Sequence, residues 1–172
     1  MKDLKKKEIF LIPHNIRSVH NVGAIFRTAE GAGISKIFLS GYTPGPKDRF
    51  GRERSDFKKS ALGAEKMVPY EYSENISALL SLLKKKGFYI IALEQDKKSV
   101  DYKKVKAKDK TVILVGNEVG GIPKNILKRC DLIAEIPMRG KLARNRRPDD
   151  VGKESLNVSV SLGIALFRIL NI

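Results

Sequence analysis

Five short apolar runs punctuate the chain: EIFLIP (8–13), KIFLS (36–40), FYIIALE (88–94), TVILVG (111–116) and LIAEIP (132–137). All are rich in β-branched and aromatic residues, and their length predicts strands. Several are apolar at consecutive positions rather than alternating ones, which suits strands buried on both faces of a parallel sheet. Between them, residues 21–33 and 73–86 carry helical spacing. In the second, Ile76, Leu79, Leu80 and Leu83 form one stripe, with Ser73 as the expected cap and Gly87 as the stop. Pro123 is placed to open another short helix, where its missing N–H costs nothing. The C-terminal segment reads two ways. SLNVSVSL alternates with period two, yet Leu156, Val160, Ile164 and Phe167 also fall on one helical face. The 17 residues from Ser155 to Asn171 contain no turn signal and exceed a typical strand, so a helix is predicted. The expected fold is α/β, a mainly parallel sheet sandwiched by helices.

Length and composition narrow this further. A chain of 172 residues without repeats or a low-complexity linker reads as one domain, 1–172. No apolar run nears the ~20 residues of a membrane span, and the run after the basic start is too short for a signal peptide. The single Cys130 excludes an internal disulfide and points to a reducing, cytoplasmic setting. With only His14 and His20 beside it, no metal site is expected. Charge is more informative. Thirty-four Lys and Arg against nineteen Asp and Glu give +15, a field that favours nucleic acid through counterion release. Part of the excess is scattered lysine that serves solubility alone. Lys84–Lys86 and the Lys-rich stretch 97–110 read as a solvated helix end and loop.

Candidate chemistry gathers at the predicted C-terminal ends of strands, where open α/β sheets place ligands. In HNVGAIFRTAEGAG (20–33), Gly23 and Arg27 stand one turn apart, leaving expected open space beside a guanidinium suited to phosphate. An ordinary solvated helix arginine would look the same. In VGNEVGGIP (115–123), a buried strand ends in Gly116, Asn117 and Glu118 and then Gly120 and Gly121. Paired glycines bring bare backbone up to a ligand or simply make a tight turn. The stretch is neither a Walker loop nor a dinucleotide fingerprint. Ser155 and Asn157 begin an otherwise apolar helix, and capping alone would account for Ser155.

In this order and spacing, the segments resemble the SpoU (TrmH-like) family of RNA ribose 2′-O-methyltransferases, within the SPOUT superfamily. The resemblance rests on NVGAIFRTA (21–29), KSALGAE (59–65), VGNEVGGI (115–122), IPMRG (136–140) and SLNVSV (155–160). It implies a C-terminal deep trefoil knot, which general rules of chain topology would have excluded. It implies S-adenosyl-L-methionine as cofactor, held by Leu93, Glu94, Gly116, Asn117, Gly120, Gly121, Ile136, Met138, Ser155 and Leu156. It also implies a homodimer with the RNA site at the subunit interface, the RNA being a tRNA or an rRNA. The catalytic set carried over is Arg27, Asn21, Glu118, Ser155 and Asn157. The family assigns Arg27 to activating the ribose 2′-hydroxyl. A guanidinium stays protonated at neutral pH, so positioning a phosphate is the easier role to defend. The alternative function is a knotted RNA-binding protein without catalysis.

Two departures from the family pattern bear on RNA. No separate RNA-binding domain is expected, so recognition would fall to the basic stretch PGPKDRFGRERSDFKK (44–59). It carries Arg49, Arg52 and Arg54 near Phe50 and Phe57. Aromatic–arginine loops stack unpaired bases, though a surface loop whose phenylalanines pack on the core fits equally. The stretch LARNRRPDDVG (142–152) reads as an insertion beside the cofactor, whose Arg144, Arg146 and Arg147 would add phosphate contacts. A solvated excursion fits it as well.

Overall fold

A computed structural model of the chain describes residues 7–140 and 155–172. The five predicted strands form, β1 (Glu8–Pro13) and β2 (Lys36–Ser40) over the predicted residues, β4 (Tyr89–Leu93) and β7 (Leu132–Glu135) two residues shorter, and β6 (Lys110–Val115) shifted by one. Two further strands complete a seven-stranded sheet among the described residues, β3 (Tyr70–Ser73) and β5 (Val100–Asp101). The order is β3-β2-β1-β6-β4-β7-β5, and every pairing is parallel. The central strand β6 pairs with β1 from Glu8↔Lys110 to Pro13↔Val115, and with β4 from Tyr89↔Thr111 to Leu93↔Val115.

Period-two alternation divides each central strand between two cores. Leu11, Ile91 and Ile113 point to one, packed under α1 (Val19–Gly31), α2 (Ser55–Ala61), α3 (Ala64–Met67) and a C-terminal helix, α6 (Val158–Leu170). Ile12, Ile90, Val112 and Leu114 point to the other, under α4 (Ile76–Lys85) and α5 (Lys124–Leu127). This two-sided burial explains why the strands read as continuous apolar runs.

Several boundaries depart from expectation. Helix α1 starts at Val19 rather than near Asn21, because the Ser18 hydroxyl accepts the Asn21 amide at 3.2 Å. Ser73 does not cap α4. It closes β3, and the Asn75 carboxamide caps the helix by accepting the Ala78 amide at 3.0 Å. The Lys-rich stretch 97–110 is not all loop, since Val100 and Asp101 pair with β7. The predicted C-terminal helix forms, but its face of Val160, Ile164 and Phe167 is 40–50% exposed. The buried side is Val158, Leu162, Ala165, Leu166 and Ile169. A helix apolar all round offers periodicity no single answer.

Gly23 is also not beside open space. A Cβ there would lie 2.0 Å from Ser60 Oγ and 2.8 Å from the Phe57 carbonyl oxygen, so α1 and α2 touch through it. The edge-to-face pair Phe26–Phe57, 5.2 Å between centroids, seals the same contact. Gly23→Ala should therefore destabilise the protein by about 1–3 kcal/mol, overpacking outweighing the gain in helix propensity. Gly31→Ala, on the same helix with nothing within 4 Å, should be neutral or stabilising. Thermal denaturation of the two variants distinguishes them.

Candidate functional site

All strands being parallel, their C-terminal ends share one edge of the sheet, and the exits of β1, β4 and β6 meet there. The loop after β6 is held from both sides. Toward β1, Asn117 Nδ2 donates to the Asn15 carbonyl and to the Tyr42 hydroxyl, both at 2.8 Å. Its Oδ1 accepts the amides of Val119 and Gly120, both at 2.8 Å. Toward β4, Glu94 Oε2 accepts the Ile122 amide at 2.8 Å. Gly121 sits between at φ +63°, where a Cβ would lie 2.5 Å from Glu94 Oε2. Both the left-handed backbone and the crowding require glycine there.

Asn15 is itself placed by a buried neighbour. The His14 ring is 6% exposed, with Nδ1 3.0 Å from Ser40 Oγ and Nε2 3.2 Å from Asn15 Nδ2. If the Asn15 amide donates to Nε2, the ring is neutral with its proton on Nδ1. Burial holds the His14 pKa below its ordinary value of 6.5.

A second hydrogen-bond chain joins three of the predicted catalytic side chains. Glu118 Oε1 accepts Asn21 Nδ2 at 3.0 Å, and Asn21 Oδ1 accepts Asn157 Nδ2 at 3.1 Å. Asn157 Oδ1 in turn caps α6, accepting the Ser159 and Val160 amides at 3.0 and 3.4 Å. The carboxylate accepts only, so it fixes which way the Asn21 amide points, and Asn21 then fixes Asn157. Asn157 is thus both helix cap and site residue, while Ser155, the expected cap, lies two residues before it.

Beside this chain opens a cavity of about 180 Å³. Leu93, Glu94, Gly116, Asn117, Gly121, Ile136, Met138, Ser155 and Leu156 all line it, with Glu118. Gly120 is not among its walls. Gln95, Glu135, Val158 and Ser161 also face it; of these only Val158 falls within a quoted motif, SLNVSV. Three carboxylates, Glu94, Glu118 and Glu135, give the cavity an acidic lining in a strongly basic chain. The apolar side chains of Leu93, Val115, Ile136, Met138 and Leu156 could enclose a flat ring.

Arg27 lies elsewhere. It is exposed, and it lines a separate shallow hollow with Glu30, Leu62, Ala64 and Met67. It stands six residues beyond Asn21 along α1, which is roughly 9 Å of helix. One chain therefore does not bring Arg27 to the cavity. Arg49 and Arg52 are exposed in the β2–α2 connection, and Arg54 is half-buried at the start of α2. Phe57 is fully buried, whereas Phe50 is 67% exposed. Arg144, Arg146, Arg147 and the rest of the 142–152 stretch lie outside the described residues.

The SpoU rRNA Methylase family matches residues 8–167. The 23S rRNA (guanosine-2′-O-)-methyltransferase RlmB of Coxiella burnetii is 30% identical over 169 residues, covering 96% of this chain and 60% of the relative. The tRNA (guanosine(18)-2′-O)-methyltransferase of Aquifex aeolicus is 29% identical, covering 95% of this chain and 69% of the relative. Among solved structures, the AdoMet-bound rRNA methyltransferase from Sinorhizobium meliloti superposes with a TM-score of 0.78 at 26% identity. That match covers 94% of this chain and 55% of the other. The chain thus spans about three fifths of the length of the first of these relatives.

The His14 network carries a pH signature. A buried imidazole with a lowered pKa contributes its full stability above the unfolded value and loses it as pH falls. Stability should decline as pH drops below about 6.5. His14→Gln should flatten that part of the profile, as chemical denaturation at a series of pH values would record.

Proposed function

The chain belongs to the SpoU rRNA Methylase family, and on that premise we propose that it is an S-adenosylmethionine-dependent RNA 2′-O-methyltransferase acting on a tRNA or an rRNA. The observation that carries the reading is the Glu118–Asn21–Asn157 chain of hydrogen bonds beside the cavity formed by the β4, β6 and β7 exits. The cavity's chemistry fits the cofactor. Its carboxylates suit a sulfonium, an ammonium and ribose hydroxyls, and its apolar side chains suit an adenine. Leu93, Glu94, Gly116, Asn117, Gly121, Ile136, Met138, Ser155 and Leu156 would hold it, with Gly120 shaping the loop. When bound, S-adenosylmethionine supplies a methyl group made electrophilic by its sulfonium. The C-terminal trefoil knot implied by the family resemblance belongs to this reading, and residues 141–154 lie outside the described ones.

The protein's own part is to position. Asn21 and Asn157 present oriented carboxamides toward the ribose, and Glu118 fixes their orientation. Ser155 shapes the cavity wall. Arg27 clamps the phosphate beside the target nucleotide, holding its 2′-hydroxyl in line. Effects of this kind lower a barrier by pre-paid entropy rather than by new bonds. No metal enters this reading. An inactive RNA-binding protein is the weaker reading, because Asn21, Glu118 and Asn157 are all present and mutually bonded.

The chain works as a homodimer in this reading. The exposed Val160–Ile164–Phe167 face of α6 is apolar. Gly163, on the same helix, approaches Thr28, next to Arg27, with 3.9 Å between the Thr28 methyl and a Cβ built on the glycine. Two copies joined through α6 would therefore set Arg27 at the subunit interface, where RNA would reach it.

Methyl transfer from labelled S-adenosylmethionine to tRNA and rRNA, followed by nucleoside analysis, should give 2′-O-methylated product. Arg27→Ala should lower the rate by roughly 10²-fold or more while calorimetry still shows cofactor binding. Full activity without Arg27 would remove it from the mechanism, and no cofactor binding by the parent chain would end the enzyme reading. Ile164→Glu should convert a dimer to a monomer in light scattering; a parent chain already monomeric contradicts the interface.

A further inference from the structure

The β2–α2 connection contains a small hydrogen-bonded hairpin. Lys47 and Glu53 form an antiparallel bridge. The Asp48 amide donates to the Arg52 carbonyl at 2.9 Å, and the Arg54 amide to that of Pro46 at 2.9 Å. The Asp48 carboxylate gathers the tip, accepting the Phe50 amide at 2.8 Å, the Arg52 amide at 3.0 Å and Arg52 Nε at 2.8 Å. Gly51, at φ +79°, makes the turn. All this order holds one large apolar side chain in water: Phe50 is 67% exposed. The guanidinium carbons of Arg49 and Arg52 lie 4.7 and 5.1 Å from its ring centroid.

Charge around the tip is unbalanced. Four cations, Lys47, Arg49, Arg52 and Arg54, face two carboxylates, and both carboxylates are engaged: Asp48 with Arg52, Glu53 with Lys58. Among the described residues Arg49 meets no carboxylate, and Arg54 Nε is buried without a hydrogen-bond partner. The hairpin also belongs to the catalytic edge of the sheet. It begins a few residues after Tyr42, whose hydroxyl accepts from Asn117 of the cavity loop at 2.8 Å, and it ends in α2, which packs on α1.

We propose that Phe50 is a stacking platform for an unpaired nucleobase of the RNA, with Arg49 and Arg52 taking the flanking phosphates. An aromatic face accepts any base, and adjacent guanidiniums supply the electrostatic half of single-strand binding. The inference rests on the RNA methyltransferase reading and deepens it. The substrate would be a loop or single-stranded segment, since a base within a duplex cannot reach the ring.

The test uses the full chain, with oligoadenylate and an abasic ribose-phosphate oligomer of equal length as probes at low ionic strength. Phe50→Ala should weaken oligoadenylate binding roughly ten-fold or more and leave the abasic oligomer unchanged. Arg49→Ala should weaken both and flatten the salt dependence by about 0.7 in log–log slope. The chain has no tryptophan, so Phe50→Trp introduces a single indole, excited apart from the tyrosines; the variant should bind as the parent does and its emission be quenched by the base. Parent-like oligoadenylate binding by Phe50→Ala, or an unquenched Trp at saturation, overturns the platform. If the parent methylates RNA in those conditions, only this inference falls. A parent that binds neither oligomer and methylates nothing takes the RNA reading with it.

Discussion

The insertion of β6 between β1 and β4 is the pairing on which the site depends. Six registered positions on one side and five on the other fix where each strand ends. Because both ladders are parallel, the exits at residues 14–17, 94–95 and 116–122 emerge side by side on one edge. Asn15, Glu94 and Asn117 can then bond across more than twenty residues of sequence without any loop having to fold back. A one-residue slip of β6 would turn Val112 and Leu114 to the wrong core and carry Glu118 away from Asn21.

What the edge assembles is two kinds of order. Asn117 and Glu94 lock the glycine-rich loop into a fixed wall, with Gly121 supplying a left-handed backbone that few residues adopt cheaply. Glu118, Asn21 and Asn157 form a directional chain whose polarity is imposed by the one group that cannot donate. The first kind shapes a cavity; the second runs from Glu118 in its wall through Asn21 to Asn157. Asn157 links them to the last helix, since the same carboxamide that bonds Asn21 also caps α6. The position of that helix and the geometry of the site are therefore a single constraint.

The basic charge acts in a different place from the chemistry. The cavity is lined by carboxylates, while the arginines lie outside it, Arg49 and Arg52 exposed on the hairpin and Arg27 exposed on α1. That division suits a cationic cofactor inside and a polyanionic substrate outside, each drawn by the opposite field.

Strands 8–13, 36–40, 88–94, 111–116 and 132–137 were legible from sequence because burial on two faces leaves an unbroken apolar run. So was the α4 stripe, and so was the gathering of glycines and polar side chains at the exit of β6, which marks a turn or a site without saying which. The edge strands at 70–73 and 100–101 were not, because YEYS and VD become strands only by finding a neighbour. Periodicity could not tell which side of α6 faces inward, since apolar residues surround it and only α1 and the sheet decide. Gly23 looked like space beside Arg27 until α2 filled it. The sequence by itself determined the layers, the chemistry of the edge and the sign of the field. Tertiary structure alone decided that Asn21 meets Asn157 across 136 residues, that Arg27 lines a hollow apart from the cavity, and that Phe50 rather than Phe57 meets water. Contacts between distant residues follow from packing geometry, and no local pattern encodes them.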